Sequence, residues 1–217
     1  LSHFAGLVAG VGYPSPISHS DIVTSTTHKT LRGPRGAMIL CKGNLAEVVD
    51  KAVFPGTQGG PHMHSIAAKA VAFGEALKPE FRIYSQKVVD NAQVLAESLQ
   101  SGGIRLVSGG TDTHLILIDC TSLGITGRKA QNALEGSGII ANRNTIPYDE
   151  RSPFVTSGLR IGTPALTSRG MGSDEMRKLA SWIVQVLGDP DGEGVREGVR
   201  NEVADFAQAL SLIHISA

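Results

Sequence analysis

The sequence predicts a mixed α/β protein, on three observations. Short apolar runs of strand length alternate with longer segments whose apolar residues recur every three or four positions. Hydrophobic residues make up 41% of the 217 residues and charged residues 18%, which suits a packed core in one sizeable domain or two small ones. The 26 glycines follow no three-residue period, so they mark tight turns or backbone brought close to ligands rather than collagen.

The elements follow in order. Residues 1–12 are small and apolar, and Pro14 and Pro16 then force extended or turn structure. Residues 21–25 and 37–42 read as strands. Residues 44–54 read as a helix capped by Asn44. The Gly-rich loop PGTQGGP spans residues 55–61. A helix follows in which Ile66, Ala70, Phe73 and Leu77 mark one buried face. Pro79 ends or bends it, and a domain boundary is placed there: residues 1–78, 79–211 and a tail at 212–217. Phe81, Tyr84, Val88, Ala92, Leu95 and Leu99 continue at helical spacing. Strands are expected at 115–119, around 139–142 and at 158–162. Helices are expected at 126–136 and at 173–187, the latter capped by Ser173 with Asp174 and Glu175 in its first turn. A turn at 189–194 precedes a last helix with Val195, Val199, Val203, Phe206 and Leu210 as its stripe.

Several function classes are disfavoured. Lys plus Arg equals Asp plus Glu at 20 each, so a general nucleic-acid binder is not expected. No apolar stretch approaches the roughly 20 residues of a membrane span, and no signal peptide is visible. Cys41 and Cys120 lie in apolar runs outside any metal spacing and read as two buried thiols in a reducing compartment. His62 and His64 form an HxH, but at the opening of a helix they diverge, so no metal site is expected. No GxSxG, HExxH, CxxC or nucleotide-binding loop occurs.

Three clusters could carry chemistry. The first is TSTTHKTLRGPRG at 24–36, where hydroxyls precede His28 and Lys29 with Arg32 and Arg35 nearby. Lysine in such company is a candidate nucleophile toward an aldehyde, and a polar loop with a solvated lysine is the plainer alternative. The second is Gln58-Gly59-Gly60-Pro61 before a helix, either an ordinary turn or backbone N–H groups offered to a phosphate. The third is SPFVTSGLRIGTPA at 152–165. Arg160 stands there between apolar residues and needs an anion, either a substrate carboxylate or an internal acid. Asn142, Arg143 and Asn144 with Ser152, Pro153 and Phe154 form a polar loop before it.

Taken together and in this order, these clusters closely resemble the serine hydroxymethyltransferase family. The resemblance runs from His3-Phe4-Ala5-Gly6-Leu7 through TSTTHKTLRGPRG, FPGTQGGP (54–61), SGGTDTHL (108–115) and SPFVTSGLRIGTPA, to about residue 208. It implies a type I fold of enzymes that use pyridoxal 5′-phosphate. The chain would hold the last part of the large domain, then the small C-terminal α/β domain. Lys29 matches the lysine that holds the cofactor as an internal imine, and Thr26 and His28 match its neighbours. His3 matches the histidine against the cofactor ring. Gly59 and Gly60 match the loop that reaches the cofactor phosphate of a partner subunit, which implies a homodimer or a dimer of dimers. Arg160 matches the arginine that binds the substrate carboxylate. Asn144, Ser152, Pro153 and Phe154 match the region that contacts folate.

The implied reaction is reversible transfer of a hydroxymethyl group from L-serine to tetrahydrofolate. It gives glycine and 5,10-methylenetetrahydrofolate, a step of cytoplasmic one-carbon metabolism. The family's aspartate partner of the pyridine nitrogen falls three positions before His3, ahead of Leu1. The upstream half of the large domain is also lacking, so the 217-residue chain alone is expected to have little or no activity. The alternatives are a threonine-aldolase-like enzyme and a non-catalytic dimerising fragment.

Overall fold

The computed structural model describes residues 1–210 and divides into two compact units, Leu1–Gln86 and one from Lys87 onward. Each is treated by itself. The division falls inside one long helix.

In the first unit, helix α1 (Ala5–Val11) buries Ala5, Gly6, Leu7 and Gly10 and ends on Gly12 in the left-handed region at φ 71°. Strands β1 (Ile22–Thr26) and β2 (Ala37–Cys41) pair antiparallel, with Ile22 opposite Cys41 and Thr26 opposite Ala37. Only β1 buries a face, through Val23 and Ser25. Cys41 on β2 is half-buried rather than buried, and it is a free thiol. Asn44 caps nothing: it lies in a short 3-10 turn, Gly43–Leu45, and helix α2 (Ala46–Lys51) starts after Leu45 without a side-chain cap.

Helix α3 (Met63–Ala76) forms where expected, but its expected face points outward. Ile66, Ala70, Phe73 and Leu77 are all exposed, Leu77 at 87%. Apolar residues ring this helix, so spacing alone does not choose a side. The side taken inward is the one that allows closest approach. Ala72 is buried, its Cβ 3.3 Å from where a Cβ on Gly33 would sit, and Lys69 donates to the Ala37 carbonyl at 2.9 Å. Pro79 opens helix α4 (Pro79–Ser101), whose Phe81 and Ser85 pack in this unit; Ser85 Oγ stands where a Cβ on Gly10 would fall.

The second unit holds the main core. The α4 residues Val88, Ala92, Leu95 and Leu99 are buried as the spacing predicts. Strands β3 (Leu115–Asp119), β4 (Asn142–Asn144) and β5 (Gly158–Gly162) form an antiparallel sheet in the order β3-β5-β4. β4 begins at the end of the expected segment, because Ile139 and Ala141 are buried in the core before ladder pairing starts. Helix α5 (Gly127–Gly136) is capped by Thr126, which accepts from Lys129 N–H at 3.1 Å. A short helix α6 (Pro164–Ser168) leads to α7 (Ser173–Gly188). The cap of α7 is Gly172 rather than Ser173, and the Glu175 carboxylate accepts the Gly172 N–H at 2.7 Å. Helix α8 (Glu193–Gln208) buries Val199 and sets Phe206 edge-on to Trp182, with ring centroids 5.4 Å apart. Leu134, Leu159, Met176, Ile183 and Leu187 fill the space between sheet and helices.

No helix among the described residues is long and apolar enough to cross a membrane, and no group of three His, Cys, Asp or Glu among them is arranged to hold a metal ion. The tail expected at 212–217 lies outside the described residues.

Candidate functional site

In the first unit, β1 delivers the chain into a closed turn that carries His28 and Lys29. Thr27 is fully buried and closes that turn. Its N–H donates to Gly36 O at 3.0 Å, its carbonyl accepts Gly33 N–H at 2.8 Å, and its hydroxyl donates to Pro34 O at 2.7 Å. The Lys29 carbonyl accepts Arg32 N–H at 2.9 Å, while Arg32 takes the left-handed φ of 59°. The Arg32 guanidinium lies 4.4 Å over the Tyr84 ring. Lys29 is half-buried, and among the described residues its ammonium has no hydrogen bond or ion pair.

The neighbours of Lys29 are fixed by hydrogen bonds. His28 Nδ1 accepts Gly36 N–H at 3.3 Å, which leaves the proton of the neutral ring on Nε2. Thr26 N–H donates to Ser2 Oγ at 3.1 Å, and Thr26 Oγ1 donates to Ser2 O at 3.3 Å. The residue that sequence reasoning passed over is Thr30. Its buried hydroxyl donates to His3 O at 2.9 Å and accepts Gly6 N–H at 2.9 Å, so the lysine turn is tied to the start of α1. That contact needs Gly6, since a Cβ there would lie 2.2 Å from the Thr30 carbonyl oxygen. His3 therefore stands beside the lysine turn through its backbone. Gly59 and Gly60 are exposed, and a Cβ on either would meet nothing within 4 Å.

In the second unit, Arg160 sits on the central strand β5, opposite Leu117 on one side and Asn142 on the other. It is half-buried, and no acid among the described residues pairs with it. Of the two partners the sequence left open, an internal carboxylate is thus not found among the described residues. A guanidinium taken partly out of water without an anion is an incomplete arrangement, and a ligand carboxylate would complete it.

The loop between β4 and β5 carries the other expected residues. Asn144 pairs through its backbone with Gly158 and donates from Nδ2 to Thr145 O at 2.7 Å. Ser152, Pro153 and Phe154 form the exposed tip, with Phe154 72% exposed. Two residues that hold this loop were not singled out by sequence. Asp149 accepts from Ile146 N–H at 3.2 Å and Ser157 N–H at 2.8 Å on one oxygen. On the other it accepts from Arg151 N–H at 2.9 Å and Ser157 Oγ at 2.7 Å. Partial burial pushes its carboxyl up, but these hydrogen bonds prevail and hold it at about 2. Arg128, near the start of α5, donates from Nε and Nη2 to the Phe154 carbonyl. An acid in a stretch such as Pro147-Tyr148-Asp149-Glu150 reads as a solvated side chain in a turn; only the return of the chain at Ser157 shows otherwise.

A family described as serine hydroxymethyltransferase matches residues 1–183. A serine hydroxymethyltransferase of Acidobacterium capsulatum is 55% identical over 212 residues, covering 98% of this chain and 50% of that protein. The chain thus spans about half the length of the curated relative it matches.

Proposed function

We propose, from the premise that the chain belongs to the serine hydroxymethyltransferase family and its pyridoxal-phosphate-dependent transferase fold, that it carries the lysine and carboxylate-binding parts of such an enzyme. The reaction is transfer of the serine hydroxymethyl group to tetrahydrofolate, leaving glycine. The observation that carries this reading is Lys29: a half-buried residue whose amine has no ion pair among the described residues, in a turn closed by Thr27 and Thr30.

A primary amine with no ion pair among the described residues, in the same turn as Thr26 and His28, fits an aldehyde cofactor, pyridoxal 5′-phosphate. Lys29 would anchor it, and His3, Thr26 and His28 would border it. When bound, the cofactor supplies a sink for the electron pair freed at the amino acid's Cα. Lys29 would be the residue whose amine competes with the substrate amine for that cofactor. His28 keeps a proton on Nε2, because Gly36 N–H occupies Nδ1, and so offers a donor. Arg160 binds the substrate carboxylate in its planar fork and fixes the amino acid's orientation. Asn144, Ser152, Pro153 and Phe154 meet the folate, the Phe154 ring giving a flat apolar face. Gly59 and Gly60 serve the cofactor phosphate of a partner subunit, so the working form is a homodimer or a dimer of dimers. Residues 1–78 are then the end of the large domain and 79–211 the small domain, in a cytoplasmic enzyme.

The test is reductive trapping. The chain is incubated with pyridoxal 5′-phosphate, reduced with borohydride and digested, and the modified peptide is sequenced by mass spectrometry. Label concentrated on Lys29 and abolished by Lys29→Gln supports the reading. Label spread evenly over the surface lysines overturns it.

A further inference from the structure

The tip of the β4–β5 loop combines two properties that seldom occur together: its ring is exposed and its backbone is held. The Phe154 carbonyl accepts two N–H bonds from Arg128, and Val155 and Thr156 both donate to Ser152 O at 2.9 Å. Gly127 N–H donates to Thr156 O and Arg128 N–H to Val155 O, each at 3.0 Å. Gly127 must be glycine for this, since a Cβ would lie 2.3 Å from both the Gly158 carbonyl oxygen and Thr156 Oγ1. Arg151 adds a bond from Nη1 to Ile125 O at 3.0 Å.

Beyond the Asn144–Gly158 ladder pair, Asp149 bridges the base of the loop with its side chain. Its two oxygens join Ile146, where the loop leaves β4, to Ser157, where it enters β5. All four groups facing it donate, and three are backbone N–H groups with no freedom to turn around. An asparagine would present its NH2 to one such pair and repel it, so the site selects a carboxylate.

We infer that Asp149 is a positioning residue for the folate substrate, holding the loop so that the Phe154 ring is already placed for the ligand before it binds. This rests on the reading that Ser152–Phe154 meet folate. Ordering a loop on binding costs affinity, and a loop ordered in advance avoids that cost.

The experiment is a double-mutant cycle read by binding. The full 217-residue chain is titrated with tetrahydrofolate under anaerobic, reducing conditions by calorimetry. The same titration is made with Asp149→Asn, Phe154→Ala and the double variant. The expected result is a loss of about tenfold for Asp149→Asn, a similar loss for Phe154→Ala, and no further loss in the double variant. Hydrogen exchange across residues 146–157 should quicken in Asp149→Asn. If Asp149→Asn binds as the parent does, or if the two losses multiply, the inference is overturned while the folate reading stands. If the parent chain fails to bind tetrahydrofolate, the folate reading fails in the parent itself and the inference falls with it. Should Asp149→Asn not fold, Arg128→Gln takes its place, since Arg128 is exposed and grips the same tip; the same non-additivity with Phe154→Ala is required.

Discussion

The guanidinium of Arg128 donates to the carbonyl oxygen of Phe154 twice, from Nε at 3.1 Å and from Nη2 at 2.7 Å. One helix residue thereby holds the backbone of an exposed aromatic. Arg128→Lys keeps the charge but loses the fork. It should cost about 1 kcal/mol in urea unfolding of the second unit, a typical value for a charge-assisted bond on a solvated surface. Equal midpoints for Arg128→Lys and the parent would show that the fork contributes nothing.

Asp149 makes stability depend on acid. Its folded-state value of about 2 lies below the ordinary 3.8, because hydrogen bonds from Ser157, Arg151 and Ile146 outweigh partial desolvation. A depressed carboxyl contributes stability that is complete above its unfolded value and is lost as pH falls through the folded one. The difference in urea midpoint between parent and Asp149→Asn should therefore be constant above about pH 5 and shrink between about pH 4 and pH 2. A difference that stays flat over that window would contradict the arrangement.

Two glycines should respond oppositely to alanine. Gly6→Ala sets a Cβ 2.2 Å from the Thr30 carbonyl oxygen, and backbone on both sides leaves little room to relax. A loss of about 2 kcal/mol or more is expected. Gly74, in the interior of α3, has nothing within 4 Å of its Cβ position. Gly74→Ala should gain about 0.5–1 kcal/mol from helix propensity. Thermal unfolding of both variants against the parent checks the pair.

The thiols should separate by reactivity. Burial, with the adjacent Asp119 charge and against the opposing Arg151, pushes Cys120 up to about 12. The thiolate is the reacting form, so at pH 8 folded Cys120 should resist iodoacetamide while Cys41 is modified. Peptide mapping before and after urea shows whether the second label appears only on unfolding.

Much of this was readable in advance where local pattern and tertiary packing agree. Leu115–Asp119 is a short apolar run and Gly158–Gly162 sets Arg160 between Leu159 and Ile161 with glycine at both ends, and both became strands. The helix expected at 126–136 formed at Gly127–Gly136, with the Thr126 hydroxyl accepting Lys129 N–H as its cap. Pattern failed on α3, where apolar residues surround the helix and the choice of face fell to Ala72 and Gly33, which it approaches. At the candidate site, Lys29, His28 and Arg160 stand out by residue type and by motif. Thr30 and Asp149 do not, because their partners, His3, Gly6 and Ser157, come into reach only when distant or looping backbone returns.

The Thr30 hydroxyl has one more consequence. Gly6 N–H lies in the first turn of α1, where backbone amides have no helical carbonyl to bond, and Thr30 Oγ1 is its acceptor. That amide exchanges its proton with solvent when the bond to Thr30 breaks. Its exchange rate therefore gauges how often the lysine turn and the start of α1 part, readable without altering a single residue of either.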